Sequence, residues 1–379
     1  MDLDARLLDR CHINKNDEGD RFVGIKADSE NAMVYFPVGY QLPETDQEIR
    51  RDILHLISVL AEFTDKSDRV LAMKKFEAPQ SVDFPINAYM EVINYYLEQN
   101  SYYTEKEPVF KTSDRGSIDW AKTIRKQRPL IQSDGSPVYT EYTVRVSSPN
   151  DKNLITQIHK YCVYESFQKL GWLFTPDLPP KPTIEKNTKM FLSVLNDKLA
   201  RTNNDKNKHL FTAMIAVLKY IDEQTNLKQF YFGTDSFEYV WEKLIDRVYG
   251  IKDKYKFFPR TRWYLKGKVK ENYALEPDSI MLHNGKIYVL DAKYYRYGIT
   301  GNPMHLPESS SINKQITYGE YIYTQEKFKR EYGDDVPVYN AFLMPYNSAK
   351  NVFGFDSIYG NIGEAKGDWK VGDHNYERV

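Results

Sequence analysis

Cysteine is nearly missing: Cys11 and Cys162 are the only two in 379 residues. Neither their number nor their spacing supports a disulfide framework or a zinc site, so a reducing cytoplasm is the expected home. No apolar run approaches the ~20 residues needed to span a bilayer. The opening MDLDARLLDRCHI lacks the basic-then-apolar order of a secretory signal. No GxxxxGK[ST] phosphate loop occurs, which leaves the chain without a Walker-type nucleotide site. An excess of one charge is missing too. With 52 basic against 53 acidic residues, a wholesale nucleic-acid coat is excluded, whereas a local basic patch is not.

Tyrosine is abundant, at 30 residues. Its apolar body and polar tip suit wet contact surfaces, although an AT-rich genome gives the same bias. The length supports two domains, and the clearest break is the proline-rich stretch 176–182. The expected division is a regulatory or DNA- or partner-binding domain over 1–175, a linker over 176–190, and a second domain over 191–379.

The most informative segment runs from Leu275 to Tyr297. Two short apolar runs, 279–282 and 286–290, flank His283-Asn284-Gly285. Asn-Gly favours the positive φ that a tight hairpin turn requires, so a β-hairpin is predicted. Asp278 enters its first strand and Asp291 leaves its second, which makes the two carboxylates neighbours. Lys293 shares a face with Asp291 through the strand period of two. Paired carboxylates repel unless a cation sits between them. Such oxygen donors suit Mg²⁺ or Mn²⁺, and an adjacent lysine can hold a water and offset charge on phosphate oxygens. The competing reading is an exposed hairpin whose ion pairs contribute little.

Pro277-Asp278 followed by Asp291-Ala292-Lys293 resembles the PD-(D/E)xK nuclease motif. With Tyr294-Tyr295 added, the segment resembles the LlaJI family of restriction endonuclease subunits and, more distantly, the McrC-like nuclease partners of GTP-driven restriction motors. The stretches FVGIK…VYFPVGY and RGSIDWAKTI carry the same resemblance. It implies an α/β fold, with a PD-(D/E)xK core of mixed sheet flanked by helices after an α+β N-terminal domain. It also implies metal-dependent cleavage of double-stranded DNA, a separate AAA+ NTPase subunit and a cognate methyltransferase. Asp278, Asp291 and the Ala292 carbonyl would then hold Mg²⁺ or Mn²⁺, and Lys293 would position the water. A helix ahead of the hairpin would lend a further acid, Glu242 being preferred over Glu238. A later helix would bring Gln315 and Tyr318 to the site, one residue closer in spacing than the related QxxxY pattern. The alternative is a subunit of the same fold that only grips DNA or stimulates its NTPase. A two-carboxylate glycosidase is a third reading, but it has no use for the lysine.

Other elements follow from periodicity. Helices are predicted over 49–63, 86–97, 154–170, 209–221, 237–249 and 309–330, and strands over 21–26, 32–36, 138–146 and 336–346. Asp28 to Asn31 forms a turn, 298–307 a mobile loop, and the tail from Gly363 is partly frayed. His159, alone on its helix, reads as structural. The basic stretch 251–270 interleaves aromatics, and Arg260, Arg262, Lys266 and Lys268, together with Tyr294, are candidates for DNA contact. Lys122 and Arg125 belong to a second basic cluster, for which a solvated charged turn is the favoured reading over contact with DNA phosphates or a partner.

Overall fold

The computed structural model describes all residues except 1–5, 28–31, 64–83, 176, 224–229, 351 and 356. The expected turn at 28–31 and Pro176 lie outside the described residues. The chain forms two compact units, one from Met1–Asp83 with Gln229–Val379, the other from Phe84–Lys228. This differs from a division at 176–190, because the proline-rich stretch lies within the second unit.

The cause is long-range strand pairing, which no local pattern reveals. In the first unit, strand Val23–Ala27 pairs antiparallel with Ala32–Phe36 on one side and with Phe230–Thr234 on the other. Cys11–Ile13 adds a parallel strand at the edge. Gly24 faces Gly233, and a Cβ on Gly24 would sit 2.2 Å from the Phe232 carbonyl oxygen. Only a glycine fits there, and its φ of +142° is strained for any other residue. The N-terminal strands are thereby part of the unit that carries the acidic hairpin. Helix Asp46–Phe63 follows, with Thr45 Oγ1 accepting the Glu48 amide at 3.3 Å.

The hairpin forms as its sequence predicts. Ser279–His283 and Lys286–Ala292 pair antiparallel, with His283 opposite Lys286. Asn284 and Gly285 take φ of +50° and +70°, the positive values of a two-residue turn. Val338–Leu343 lies parallel to the second strand and completes a mixed three-stranded sheet. Ile280, Ile287, Val289 and Val338 pack there with Tyr318 and Ile322. The predicted helix 309–330 is two helices, Ser309–Thr324 and Glu326–Tyr332, since Gln325 is extended at ψ 125°. The end of the C-terminal tail is anchored: Asn340 Nδ2 donates to the Tyr376 carbonyl at 2.8 Å, and Tyr376 is buried. The expected loop after the hairpin holds two short helical turns, Tyr297–Thr300 and Pro303–His305.

The second unit is mainly helical, with Ile86–Gln99, Leu154–Leu170, Thr188–Arg201 and Asp205–Glu223. Tyr89, Ile155, Phe191 and Phe211 fill its interior. The expected strand 138–146 is displaced: Pro137–Val138 pairs with Leu130–Ile131, and Thr143–Pro149 joins Lys106–Thr112 and Ser117–Ile118 in a separate sheet. Among the described residues no helix is long and apolar enough to cross a membrane.

Candidate active site

The hairpin register brings the aspartates together. Ser279 pairs with Leu290, so continuing the antiparallel ladder by one residue sets Asp278 against Asp291. Side chains opposite one another share a face. Asp278 Oδ2 accepts a hydrogen bond from the Ala292 amide at 2.8 Å. Asp291 is buried, and the Lys293 ammonium lies 2.5 Å from its Oδ2. Lys293 is itself held by its amide, which donates to the Leu343 carbonyl at 2.9 Å.

The electrostatics match this crowding. Burial pushes the Asp278 carboxyl up to about 7, and the charges of Asp291 and Glu242 add to the rise. A hydrogen bond with Asp291 favours the protonated form further, while the Ala292 amide acts in the opposite direction. For Lys293 burial lowers the pKa, but bonding to Asp291 and the charges of both aspartates outweigh it and leave the ammonium above its usual value.

Helix Phe237–Tyr249 supplies Glu242. Its Trp241 indole donates to the Leu343 carbonyl at 3.2 Å and so fixes the helix against the sheet. Of the two glutamates, Glu242 reaches Asp278 electrostatically, whereas Glu238 is exposed and acts on Tyr294. Gln315 is buried, and its side chain donates to the Val289 carbonyl at 2.6 Å. Its contact is with the backbone of the Lys286–Ala292 strand, two residues before Asp291. Tyr318, one helical turn on, is fully buried, and its hydroxyl has no hydrogen-bond partner among the described residues. Burial, then Asp291 and Asp278, raise its pKa.

Lys254 was legible only as part of a basic run. Its ammonium donates to the Asp278 carbonyl at 2.7 Å and pairs with Asp246 at 2.7 Å. It thus braces the backbone that presents Asp278, a role with no sequence signal beyond its charge.

Tyr294 requires correction. It is buried, not available to DNA. Its hydroxyl accepts the Val38 amide at 2.7 Å, its carbonyl accepts from Asn16 at 2.8 Å, and its ring rests against Phe237. It ties the hairpin to the N-terminal strands. Arg260 and Arg262 both lean on Glu271, Arg262 at 2.8 Å, while Lys266 and Lys268 are exposed. In the second unit, Lys122 sits 4.0 Å from Asp119 and over the Phe110 ring, and Arg125 is exposed.

Among the described residues no set of three or more His, Cys, Asp or Glu side chains forms a ready metal cage. The donor chemistry nevertheless fits a hard divalent ion. Two carboxylates, with Glu242 in their field, are crowded enough that one holds a proton near neutrality, and a cation relieves the same repulsion. The orphaned Tyr318 hydroxyl adds a polar group to that environment.

A family model described as LlaJI restriction endonuclease matches residues 22–362. No match was found among curated proteins. The chain is similar to one in the refined half-complex from a tetradecameric assembly of Thermococcus gammatolerans McrB AAA+ hexamers with bound McrC. That likeness has 17% identity and a TM-score of 0.32, covering 85% of this chain and 70% of that one. It is also similar to a chain of the T. gammatolerans McrBC complex solved by cryo-electron microscopy, at 19% identity and a TM-score of 0.25, covering 60% of this chain and 65% of that one.

Proposed function

The chain belongs to the LlaJI restriction endonuclease family, and we propose that it is the DNA-cleaving subunit of a restriction system, hydrolysing phosphodiesters at Asp278, Asp291 and Lys293. The observation that carries this reading is the buried aspartate pair with the Lys293 ammonium 2.5 Å from Asp291. Asp278 and Asp291 would hold Mg²⁺ or Mn²⁺ with help from Glu242 and the Ala292 carbonyl. When bound, such an ion lowers the pKa of a coordinated water and stabilises charge on the scissile phosphate.

The chain's own residues do the rest. Lys293 orients the attacking water and offsets the charge that grows on the non-bridging oxygens. The Ala292 amide fixes the Asp278 carboxylate, and Lys254 fixes its backbone, so little reorganisation is needed at the moment of reaction. Gln315 and Trp241 hold the neighbouring strand ends in register. We assign NTP hydrolysis to a separate AAA+ subunit, because the sequence has no phosphate loop. Double-stranded DNA is the substrate in this account, and a cognate methyltransferase belongs to the same system.

Incubating the full chain with labelled duplex, with and without Mg²⁺ or Mn²⁺, alone and with the NTPase subunit, tests the reading. Ion-dependent nicking that Asp278→Ala abolishes supports it. Absence of cleavage in every arm, with DNA binding intact, transfers the chain to the class of non-catalytic binding subunits.

A further inference from the structure

Residues 260–274 form an antiparallel ribbon of two strands, Arg260–Leu265 and Lys268–Ala274, outside every other sheet. Every residue of the first strand is exposed, and so are most of the second. Trp263 is 60% exposed and Tyr273 98%. A two-stranded hairpin that buries neither face is marginal on its own, and large aromatics left in water on both sides serve no packing role within this unit. The ribbon is anchored at its base by the Leu275 amide, which donates to the Pro259 carbonyl at 2.8 Å. Asp278 follows three residues later, within ~11 Å of chain. With strands of six and seven residues, the ribbon reaches about 20 Å.

The register sorts its side chains into two unlike faces. Trp263 pairs with Lys270 and Leu265 with Lys268, and Asn272 bonds to Thr261. That face carries two cations, one indole and no acid. The opposite face pairs Arg262 with Glu271, which also takes Arg260, so one of its two positive charges is cancelled. Lys266 stands at the turn beside Gly267, whose φ is +79°. Lys266, Lys268 and Lys270 have no ion-pair partner among the described residues.

We propose that this ribbon is the duplex-engaging element, laying the face of Trp263, Lys268 and Lys270 into the major groove with Lys266 at the leading tip. The inference rests on the nuclease reading and adds to it which residues hold the substrate. The major groove, ~12 Å wide, admits a two-stranded ribbon. The three lysines contact phosphates and Trp263 lies against the base edges. Arg260 and Arg262 contribute less, because they share Glu271, which offsets one of their two charges.

The test is anisotropy of a fluorescein-labelled duplex with the full chain in EDTA, so that binding is read without cleavage, across a salt series. Each phosphate contact contributes ~0.9 to the slope of log K against log salt. Lys266→Ala/Lys268→Ala/Lys270→Ala is expected to flatten the slope by about 2 to 3 and to weaken binding at least ~100-fold at low salt. Trp263→Ala is expected to weaken it about tenfold, and Trp263→Phe much less. The charge-neutral change Arg262→Ala/Glu271→Ala should cost less than about threefold. Circular dichroism melts check that each variant is folded. If the lysine variant keeps the wild-type slope, or loses only association with the NTPase subunit, the ribbon is not the DNA element and this inference fails while the nuclease reading stands. If the wild-type chain binds no DNA, alone or with the NTPase subunit, the nuclease reading falls and the ribbon assignment with it.

Discussion

Asp278 reaches across the hairpin to the Ala292 amide, a hydrogen bond of 2.8 Å that sets its carboxylate beside Asp291. Lys293, one residue beyond that amide, points its ammonium at the Asp291 carboxylate, 2.5 Å from its Oδ2. Because the lysine is expected to act on the charge that develops in the transition state, Lys293→Ala should lower the cleavage rate by ~100-fold or more with little change in DNA affinity. Single-turnover cleavage alongside anisotropy separates the two quantities. Equal loss of rate and affinity would make the lysine a substrate anchor instead.

Glu242 and Glu238 lie one helical turn apart and differ in surroundings. Only Glu242 adds to the charge crowding Asp278. Glu242→Gln is expected to weaken divalent-ion affinity about tenfold or more, an effect typical of groups that tune a metal site. Glu238→Gln should leave it within about twofold. Ion titration followed by cleavage rate, with each variant, checks the contrast.

Tyr294 is a structural tie. Tyr294→Phe removes the acceptor of the buried Val38 amide. An orphaned buried donor costs about 1–3 kcal/mol, so the variant should melt several degrees lower yet bind duplex DNA like the wild type. Differential scanning calorimetry and anisotropy read the two outcomes. Weakened binding without a lower melting temperature would restore Tyr294 to the DNA surface.

The hairpin was legible because its information is local. Asn284-Gly285 fixes the turn, and the strand period then places Asp278, Asp291 and Lys293 with no reference to the rest of the chain. Helices Leu154–Leu170 and Phe237–Tyr249 were legible for the same reason, their apolar residues recurring at three and four. What escaped depends on distant partners. Val23–Ala27 pairs with Phe230–Thr234 across two hundred residues of chain, so the discontinuous unit could not be read from a proline-rich break. The break at Gln325 has no glycine or proline to announce it. Tyr294 read as a candidate for DNA contact, since nothing near it in sequence reveals Val38 and Asn16 as its partners. Arg260 and Arg262 looked free because cross-strand pairing with Glu271 appears only once the ribbon closes.

His159 gives the second unit a defined response to acid. Burial lowers its pKa to about 3, and its Nδ1 accepts the Tyr103 amide at 2.8 Å. The folded value lies below the unfolded value near 6.5, so the unfolded chain binds the proton first as pH falls. The stabilisation is complete above pH ~6.5 and is lost progressively towards pH ~3, amounting to about 2 kcal/mol at pH 5. His159→Gln should be less stable at pH 7 but should lose less on going to pH 5. Urea unfolding at the two pH values tests this, and parallel losses in both proteins would assign the acid response to other groups.

The most direct test of the aspartate pair is a titration with Mn²⁺ followed by its electron paramagnetic resonance signal, using the full chain without DNA or nucleotide. The account predicts saturable binding in the wild type that is lost in Asp278→Ala/Asp291→Ala while the fold, read by circular dichroism, is unchanged. Binding of equal affinity in the double variant, or none in the folded wild type, would contradict it.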